Sequence, residues 1–355
     1  MSQARDIRVG LIGYGLAGSV FHAPLIDAAE GMQLAAIVTS NPERAAEAQT
    51  TYPEATLYAT PAQLWQAADT LDLVVVASPN RTHKPLAMAA LHAGLGVVVD
   101  KPLAASAEEA RELIEEAERL GLFLTVFQNR RWDGDFLTLQ RLRDEGELGE
   151  IRRFESRFER WRPEPKGGWR QSGAPGEAGG VLYDLGAHLI DQALMLFGPV
   201  RSVYAELEHR YPDAEVDDDT FVALTHENGM RSHLWMSSVA PECAVRFRVL
   251  GSRAAYCSVG LDGQENALKA GARPDQSNWR DVVEDGEARL VAGSEEKPLD
   301  NDPGQYLRFY ELVGQRFLAG EAPPVDPREA LAGLEIIAAA QHASAEGGVV
   351  ELAHD

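Results

Sequence analysis

Cysteine is nearly absent from this chain, which contains only Cys243 and Cys257 among its 355 residues. The two cysteines form no CxxC pair and have no histidines at zinc-site spacing, which excludes a disulfide framework and a cysteine-rich metal site. Long apolar runs are absent as well, because residues 1–6 are polar and no run approaches the roughly 18 residues of a membrane span. These absences predict a cytoplasmic protein that is neither secreted nor inserted into a membrane.

Positive charge is scarce relative to negative charge. The 33 lysines and arginines are outnumbered by 55 aspartates and glutamates, which gives a formal net charge of −22. An acidic protein repels phosphate backbones and anionic lipid headgroups, and the basic residues here are scattered rather than gathered into a stripe. Neither nucleic acid nor a membrane surface is therefore expected as a partner.

The length and composition are those of a globular protein with two domains. A chain of 355 residues exceeds one ordinary domain, and an apolar content of 45% lets each part bury a core. Apolar runs alternate with helical segments through the first third, which predicts a parallel, doubly wound α/β sheet of the Rossmann type over residues 1–124. Residues 125–355 then form the second domain. The predicted strands of the first domain are 7–12, 34–38, 73–77, 97–99 and 122–126.

The first predicted strand runs directly into a glycine-rich loop, GYGLAG at residues 13–18, which a helical stretch follows. In that context Gly13 permits the tight turn, Gly15 lets the backbone approach a pyrophosphate, and Gly18 allows the helix to pack closely on the strand. The motif predicts a dinucleotide site. Its predicted contacts are Gly13, Gly15, Leu16, Ala17 and Gly18.

Ligands of such sheets bind beyond the carboxyl ends of the strands. The second strand tip, Thr39-Ser40-Asn41, lacks the acidic residue that holds the ribose hydroxyls in NAD enzymes. Asn41 is a helix cap before Pro42, and the positive end of that helix, with Arg44 one turn on, suits a phosphate. The tip is either an ordinary capped helix start or a 2′-phosphate site, and we favour NADP over NAD. Further cofactor contacts are expected from Ser78, Asn80, His83, Asp100, Lys101 and Gln128.

Lys101 follows an apolar strand and Asp100, and precedes Pro102. A lysine that is partly desolvated beside a nicotinamide ring can hydrogen-bond the reacting oxygen and share its proton, because burial lowers its pKa toward neutrality. A strand-end lysine taken alone is more often a plain surface residue. Lys101 is therefore a candidate catalytic residue that needs support from the rest of the chain.

A helix early in the second domain carries a second candidate set. Asp184, His188 and Asp191 are spaced i, i+4 and i+7, which places them on one helical face. An acid one turn from a histidine can orient and tune the imidazole for proton transfer near neutral pH. The spacing taken alone favours the alternative, a solvated polar stripe.

Two segments rich in arginine and tryptophan are candidates for substrate binding. Residues 128–133 read QNRRWD, and their arginines predict either contacts to hydroxyls and phosphates or a structural hinge cap. Residues 160–170 predict either a loop that stacks on a sugar ring or a flexible loop without a ligand. The candidate substrate residues are Arg130, Arg131, Trp132, Arg162, Trp169, Arg170 and Tyr183.

The remainder of the second domain is rich in short β-segments, at 201–207, 220–225, 231–236, 245–250 and 254–258, which predict an antiparallel sheet. The acidic run Asp217-Asp218-Asp219 lacks the ligand spacing of a calcium loop and is more simply a solvated turn. No metal is assigned.

The combination of GYGLAG after a first strand, DKP at 100–102 and an Asp184-His188 pair resembles the Gfo/Idh/MocA oxidoreductases along essentially the whole chain. FHAPLI at 21–26 and QNRRWDGDFLTL at 128–139 are most similar to the branch with NADP-dependent scyllo-inositol dehydrogenases. The resemblance implies a Rossmann domain, then an α/β domain with a largely antiparallel open sheet through which a homodimer or homotetramer forms. It also implies a catalytic set in which His188 accepts the proton, Lys101 polarises the substrate and Asp184 anchors it.

Two positions depart from that family pattern. Many members carry glutamate where this chain has Asp100, which is a small chemical change. The inositol branch often ends its second strand with an arginine at the position of Asn41. Without that arginine, this chain lacks the clearest cation for a 2′-phosphate. NAD and NADP therefore both stay open at this stage.

Three functions fit the sequence. The first, which we favour, is reversible oxidation by NAD(P) of a ring hydroxyl to a ketone on a cyclic polyol or sugar, with a scyllo-inositol-like substrate. The second is glycoside hydrolysis with an NAD that is oxidised and reduced within one cycle. The third is a nucleotide-binding regulator without catalysis, against which the intact Lys101, Asp184 and His188 argue.

Overall fold

The structure, a computed structural model, describes residues 6–165, 167–168, 171–174, 176–242, 245–284 and 286–352. Its strands are β1 (Ile7–Ile12), β2 (Met32–Val38), β3 (Thr56–Tyr58), β4 (Leu73–Val76), β5 (Gly96–Asp100), β6 (Leu124–Phe127), β7 (Ile151–Glu159), β8 (Val200–Glu208), β9 (Asp219–His226), β10 (Arg231–Ser237), β11 (Val245–Gly251), β12 (Ala255–Val259), β13 (Glu287–Ala292), β14 (Glu295–Leu299) and β15 (Val349–Glu351).

The helices are α1 (Ala23–Ala28), α2 (Pro42–Thr51), α3 (Pro61–Trp65), α4 (His83–His92), α5 (Ala107–Leu120), α6 (Gly134–Asp144), α7 (Ala187–Phe197), α8 (Gln264–Lys269), α9 (Trp279–Val282), α10 (Tyr306–Ala319) and α11 (Pro327–Glu346). Wider, π-helical turns lead into two of them, at Ala17–His22 before α1 and at Leu182–Gly186 before α7. No helix in the described ranges combines the length and the apolarity that crossing a bilayer requires.

The chain divides into two compact units that do not follow a single cut along the sequence. Unit 1 consists of Met1–Asn129, Gln264–Glu284 and Gln305–Leu331, and unit 2 of Arg130–Gly263, Asp285–Gly304 and Ala332–Asp355. The sequence predicts that all residues beyond 124 belong to the second domain, whereas residues 125–129 and two later segments belong to unit 1.

Unit 1 is built on a six-stranded sheet in the order β3-β2-β1-β4-β5-β6, and all neighbouring strands are parallel. Strand β4 is wholly buried and β5 nearly so, because helices cover both faces of such a sheet. The predicted Rossmann topology is confirmed. Only β3 lacks a counterpart in the sequence analysis, since its three residues are exposed or half-buried and form no apolar run.

Helix α10 belongs to unit 1 although it lies near the end of the chain. It buries Tyr306, Phe309, Tyr310 and Val313. A Cβ added to Gly96 of β5 would lie 2.7 Å from the ring of Phe317, so the helix packs closely against the sheet. This aromatic face supplies part of the core of unit 1, which explains why the unit is discontinuous in sequence.

Unit 2 contains a nine-stranded sheet in the order β14-β13-β12-β11-β7-β10-β9-β8-β15. Only the β7–β10 pair is parallel among the described strands of this sheet, so the predicted largely antiparallel architecture is confirmed. The central strand β7 was not predicted. Its inward residues include Phe154 and Phe158, but Arg153, Glu155 and Arg157 alternate with them on the other face and hide the strand pattern.

Candidate active site

Unit 1 gathers its predicted cofactor residues at the carboxyl edge of the sheet. Along the strand order β2-β1-β4-β5-β6, the segments that follow the strands are 39–41, 13–18, 78–80, 101 and 128. The order of the strands reverses between β1 and β4, whose connections leave to opposite sides and open a crevice. This is the place where a doubly wound sheet binds a dinucleotide.

The glycine-rich loop has the shape that a pyrophosphate needs. Gly13 has a φ of +100°, and a Cβ added to it would lie 2.4 Å from the Ala77 carbonyl oxygen. A Cβ on Gly18 would lie 1.9 Å from the Gly13 carbonyl oxygen. At Gly15, by contrast, an added Cβ would meet only Nη1 of Arg44, at 3.7 Å. The fold therefore requires Gly13 and Gly18, whereas Gly15 leaves the loop surface open to a ligand. Leu16 is 54% exposed at this loop and Ala17 begins the helical turn.

The second tip is a capped helix start. The Asn41 side-chain oxygen accepts the Arg44 backbone N–H at 3.0 Å, and the Thr39 hydroxyl oxygen accepts the Asn41 N–H at 3.4 Å. Ser40, Asn41 and Arg44 are exposed. The Arg44 guanidinium makes no ion pair with any residue that the structure describes. Asn41 thus caps the helix as predicted, and the Arg44 guanidinium lies near both this cap and Gly15.

Asp100 and Lys101 end strand β5, and both are half-buried. The Lys101 backbone N–H donates to the Asp100 carboxylate at 2.9 Å, and the Lys101–Pro102 peptide bond is cis. The same carboxylate oxygen lies 3.7 Å from Nε2 of His22. Burial acts to raise the pKa of Asp100, but the neighbouring His22, His83 and Lys101 outweigh it and hold the pKa below its usual range. Asp100 is therefore an ionised carboxylate held within unit 1.

The His83 ring is tied to the backbone, and its contact with the cofactor stays a prediction. The ring is buried, with Nδ1 2.7 Å from the Pro102 carbonyl oxygen and Nε2 2.8 Å from the Ser78 carbonyl oxygen. Burial lowers its pKa, although the nearby Asp100 acts in the opposite direction. Both nitrogens face backbone carbonyl oxygens, and the nitrogen that carries the proton donates to its carbonyl, so His83 lies between the tips of β4 and β5. The Ser78 hydroxyl is likewise used, in a 2.6 Å hydrogen bond with Thr82.

Two buried side-chain amides also lie at the carboxyl edge of the sheet of unit 1. Asn80 is buried in the short turn after β4, and Gln128 is buried directly after β6. The Gln128 side-chain oxygen accepts no hydrogen bond from the residues that the structure describes. A buried carbonyl oxygen without a donor costs free energy, and the carboxamide of a nicotinamide ring is a donor that would satisfy it. The residues of unit 1 therefore fit a nicotinamide dinucleotide at both the pyrophosphate and the ring end.

In unit 2, the predicted proton-transfer residues lie on the helical stretch that ends in α7. Tyr183 and Asp184 are half-buried, and His188 is 6% and Asp191 4% exposed. Burial raises the pKa of the Tyr183 hydroxyl, and the charge of Asp217 adds to the effect. The polar face is thus an interior one, and the alternative of a solvated stripe is wrong.

The paired arginines after β6 are structural anchors of unit 2. Arg131 donates two hydrogen bonds to the Asp191 carboxylate, at 2.8 and 2.6 Å, and both side chains are buried. Arg130 pairs with Asp133 at 3.3 Å and lies over the ring of Phe158. Because these guanidiniums are bound to internal carboxylates, the structural role that the sequence also allowed is favoured, and substrate contacts by Arg130 and Arg131 stay a prediction. Trp132 is half-buried beside them.

A buried network that the sequence did not reveal anchors α7. The Gln192 amide donates to the Arg130 carbonyl oxygen at 2.9 Å and accepts from Arg246 at 2.8 Å. Arg246 is 2% exposed and also donates to the Ser156 hydroxyl at 2.6 Å. The sequence feature that indicates this network is Arg246 between apolar residues of β11. A charged side chain is buried only where it is paired.

The acidic run at 217–219 is not the solvated turn that we predicted. Asp217 and Asp218 are 7% and 4% exposed. The Asp217 carboxylate accepts the Leu182 N–H at 2.8 Å and the Thr220 hydroxyl at 2.7 Å, and burial raises its pKa despite these bonds. It therefore caps the helical stretch that carries Tyr183, Asp184 and His188. Gly180 leaves room for this carboxylate, because a Cβ added to it would lie 1.9 Å from an oxygen of Asp217.

The predicted sugar-binding loop is only partly described. Arg162 is half-buried, and its carbonyl oxygen accepts a hydrogen bond from the Tyr211 hydroxyl. Trp169 and Arg170 lie outside the described residues. Within the described ranges, no group of three or more His, Cys, Asp or Glu side chains is arranged to hold a metal ion.

Residues 7–128 match the family described as "Oxidoreductase family, NAD-binding Rossmann fold", and residues 136–257 match "GFO/IDH/MocA C-terminal domain". The chain is 42% identical over 334 residues to the uncharacterized oxidoreductase YdgJ of Escherichia coli (strain K12), covering 94% of each chain. It is 36% identical over 353 residues to scyllo-inositol 2-dehydrogenase (NADP(+)) IolW of Bacillus subtilis (strain 168), covering 98% of this chain and 96% of that one. The solved structure of the oxidoreductase yvaA from Bacillus subtilis has a TM-score of 0.90 at 34% identity, covering 99% of this chain and 100% of that chain.

Proposed function

The chain belongs to the Gfo/Idh/MocA family of oxidoreductases, and on that premise we propose that it is an NADP-dependent dehydrogenase of a cyclic polyol or sugar. The reaction interconverts a ring hydroxyl and a ketone, and a scyllo-inositol-like ring is the favoured substrate. The observation that carries the proposal is the position of Lys101 at the carboxyl edge of the sheet of unit 1, two strands from the glycine-rich loop.

Each candidate residue has a role that its chemistry supports. A bound nicotinamide cofactor supplies the hydride acceptor. In unit 1, the Lys101 ammonium donates a hydrogen bond to the reacting oxygen and stabilises the negative charge that develops on it as the hydroxyl proton leaves. In unit 2, the His188 ring accepts the hydroxyl proton, and Asp184 binds a hydroxyl of the substrate. The Asp217 cap and the Arg131–Asp191 pair hold the helix that carries these two side chains.

Preference for NADP is supported by Arg44. Its guanidinium is exposed, makes no ion pair with the described residues and lies beside the open face of Gly15. No acidic side chain occupies 39–41 to hold a ribose hydroxyl in competition with a 2′-phosphate. Arg44→Ala should lower the ratio of NADP to NAD efficiency roughly tenfold or more, because a charge-assisted contact to phosphate is lost. Arg231→Ala, an exposed arginine of β10, is the matched control and should leave the ratio unchanged.

The test of the proposal is a cofactor-reduction assay on the purified protein, with NADP and NAD each set against scyllo-inositol, myo-inositol, common aldoses and anhydrosugars. We expect NADP to be reduced with an inositol. Sugar release from glycosides without net cofactor reduction would replace the proposal with an internally recycled hydrolase. Tight nucleotide binding with no redox turnover and no hydrolysis on any substrate would favour a regulator.

We also propose that the protein forms a homodimer or homotetramer through the outward face of the sheet of unit 2. Phe221, His233 and Trp235 form a half-buried aromatic cluster there, with the Phe221 and Trp235 ring centroids 4.9 Å apart and the Arg157 guanidinium 4.1 Å over Trp235. Contiguous apolar patches of this kind mark association surfaces. Trp235→Glu should reduce the mass measured by light scattering to that of one chain, while the exposed Trp161, changed to Glu, should not. A monomeric wild-type protein would disprove this proposal.

A further inference from the structure

Three polar side chains of unit 1, two of them fully buried and one half-buried, lie in a row that leads to Lys101. His22 ends the helical turn that follows the glycine-rich loop and is fully buried, with Nδ1 2.6 Å from the hydroxyl of Tyr310. Its Nε2 lies 3.7 Å from the Asp100 carboxylate, which accepts the Lys101 backbone N–H at 2.9 Å. A continuous path therefore runs from α10 to the lysine within unit 1.

The chemistry of these groups fixes the direction of each bond. Asp100 is ionised and can only accept, so the nitrogen of His22 that faces it is the one that carries a proton. Nδ1 is then the acceptor, and the Tyr310 hydroxyl donates to it. Burial and the charge of Asp100 raise the pKa of Tyr310 well above its usual value, which keeps this hydroxyl protonated. At 3.7 Å the contact of His22 with Asp100 is an electrostatic one, longer than a hydrogen bond.

Aromatic side chains enclose the row. The His22 ring lies 4.5 Å from the Phe127 ring, and Phe309 packs edge-on against Tyr310 at 5.2 Å. The rings keep water from His22 and Tyr310, and electrostatic contacts are stronger in such surroundings than in solvent. The other titratable group that faces Asp100 is His83, whose nitrogens are held by backbone carbonyls.

We propose that Tyr310 and His22 are positioning residues for Lys101: Tyr310 fixes the tautomer and orientation of His22, His22 holds Asp100, and Asp100 holds the end of β5. The chain of contacts also links the helix of the dinucleotide loop to the lysine, because His22 and Gly18 belong to the same helical turn. The inference rests on the proposed function only in assigning Lys101 a part in turnover.

The first test observes Lys101 directly and needs no substrate. The protein contains five lysines, so reductive methylation with ¹³C-formaldehyde gives few NMR signals, and Lys101→Arg assigns the one of interest. In Tyr310→Phe we expect the Lys101 signal to move, because its chemical shift reports the surroundings of the side chain. The control is Tyr306→Phe, which removes a hydroxyl from the same buried face of α10 and should leave the signal in place. An unchanged Lys101 signal in Tyr310→Phe, or an equal change in both variants, overturns the proposal.

The second test is kinetic and separates positioning from folding. Tyr310→Phe should lower kcat about tenfold while the KM for the cofactor stays within about twofold. His22→Gln retains an N–H where Nε2 stands, whereas the shorter amide of His22→Asn does not reach it, so the glutamine variant should recover more of kcat. Equal kcat in the two His22 variants, at equal thermal stability, contradicts the proposal. If no polyol or sugar is turned over at all, the proposed function fails, and the NMR result alone decides the positioning role.

Discussion

Replacing Gly15 with alanine should separate nucleotide binding from folding. The added Cβ would meet only Nη1 of Arg44, at 3.7 Å, which is ordinary contact, and no positive φ opposes an L side chain there. A compatible Gly→Ala change stabilises a protein by about 0.4–1 kcal/mol, because it reduces the freedom of the unfolded chain. The melting temperature of Gly15→Ala should therefore be unchanged, or higher by about 1–4 °C.

Affinity for the cofactor should fall in the same variant. The methyl group occupies the space through which a pyrophosphate reaches the backbone, so hydrogen bonds from N–H groups to phosphate lengthen or break. Loss of one charge-assisted hydrogen bond costs roughly 1.5–3 kcal/mol, which corresponds to an increase in Kd of roughly 10- to 150-fold. Calorimetric titration with NADP and NAD measures the affinity, and thermal melting of the free protein measures stability.

Alanine variants of two other glycines serve as controls for Gly15→Ala. Gly18→Ala places a Cβ 1.9 Å from the Gly13 carbonyl oxygen and should lose both stability and binding. Gly333 lies inside α11, where an added Cβ meets nothing within 4 Å, and its alanine variant should lose neither. Wild-type affinity in Gly15→Ala would refute the assignment of this loop as the pyrophosphate site, and a destabilised Gly15→Ala would refute the local geometry.

Four further outcomes follow from the two units. Lys101→Met should leave the cofactor Kd within about twofold and lower turnover roughly 10²- to 10⁴-fold in steady-state assays. His188→Asn should flatten the pH dependence of kcat/KM near neutrality, since it removes the proposed proton acceptor, and an unaltered pH–rate profile would exclude that role. The raised pKa of Asp217 means that the folded protein holds this proton more tightly than the unfolded chain, so its contribution to stability is lost as pH rises through the folded pKa. Asp217→Asn keeps an acceptor without the charge and should gain melting temperature relative to wild type as pH rises from about 4, which melts across a pH series will check. Asp191→Asn leaves the buried Arg131 without its carboxylate and should cost roughly 3–5 kcal/mol in chemical denaturation.

The parts of the fold that could be predicted are those with a local signal. Strands buried on both faces, such as β4, read as uninterrupted apolar runs, and the cofactor residues follow because they occupy the ends of those runs. Strand β7 carries charged residues on its outward face and has no such signal, although it is the central strand of its sheet. The place of α10 in unit 1 depends on contacts such as His22 with Tyr310, which are 288 residues apart.

The same limit explains the errors in the candidate site. A sequence does not show whether a charged side chain is solvated or buried. Its burial depends on a partner that lies far along the chain. Arg131 meets Asp191 at a separation of 60 residues, and Asp217 meets Leu182 at 35. The two nitrogens of His83 face backbone carbonyl oxygens that no sequence motif indicates, and its contact with the cofactor stays a prediction.

The late position of α10 has a consequence for how the protein is made. On the ribosome, the whole of β1 to β6 is synthesised before the residues of α10 exist, so His22 and Phe127 lack the aromatic face of Tyr310 and Phe309 until residues 128–305 have also been made. A nascent chain that ends at Asn129 therefore exposes apolar surface that chaperones recognise. Unit 1 therefore begins with β1 but can be completed only after most of unit 2, residues 130–263, has been translated.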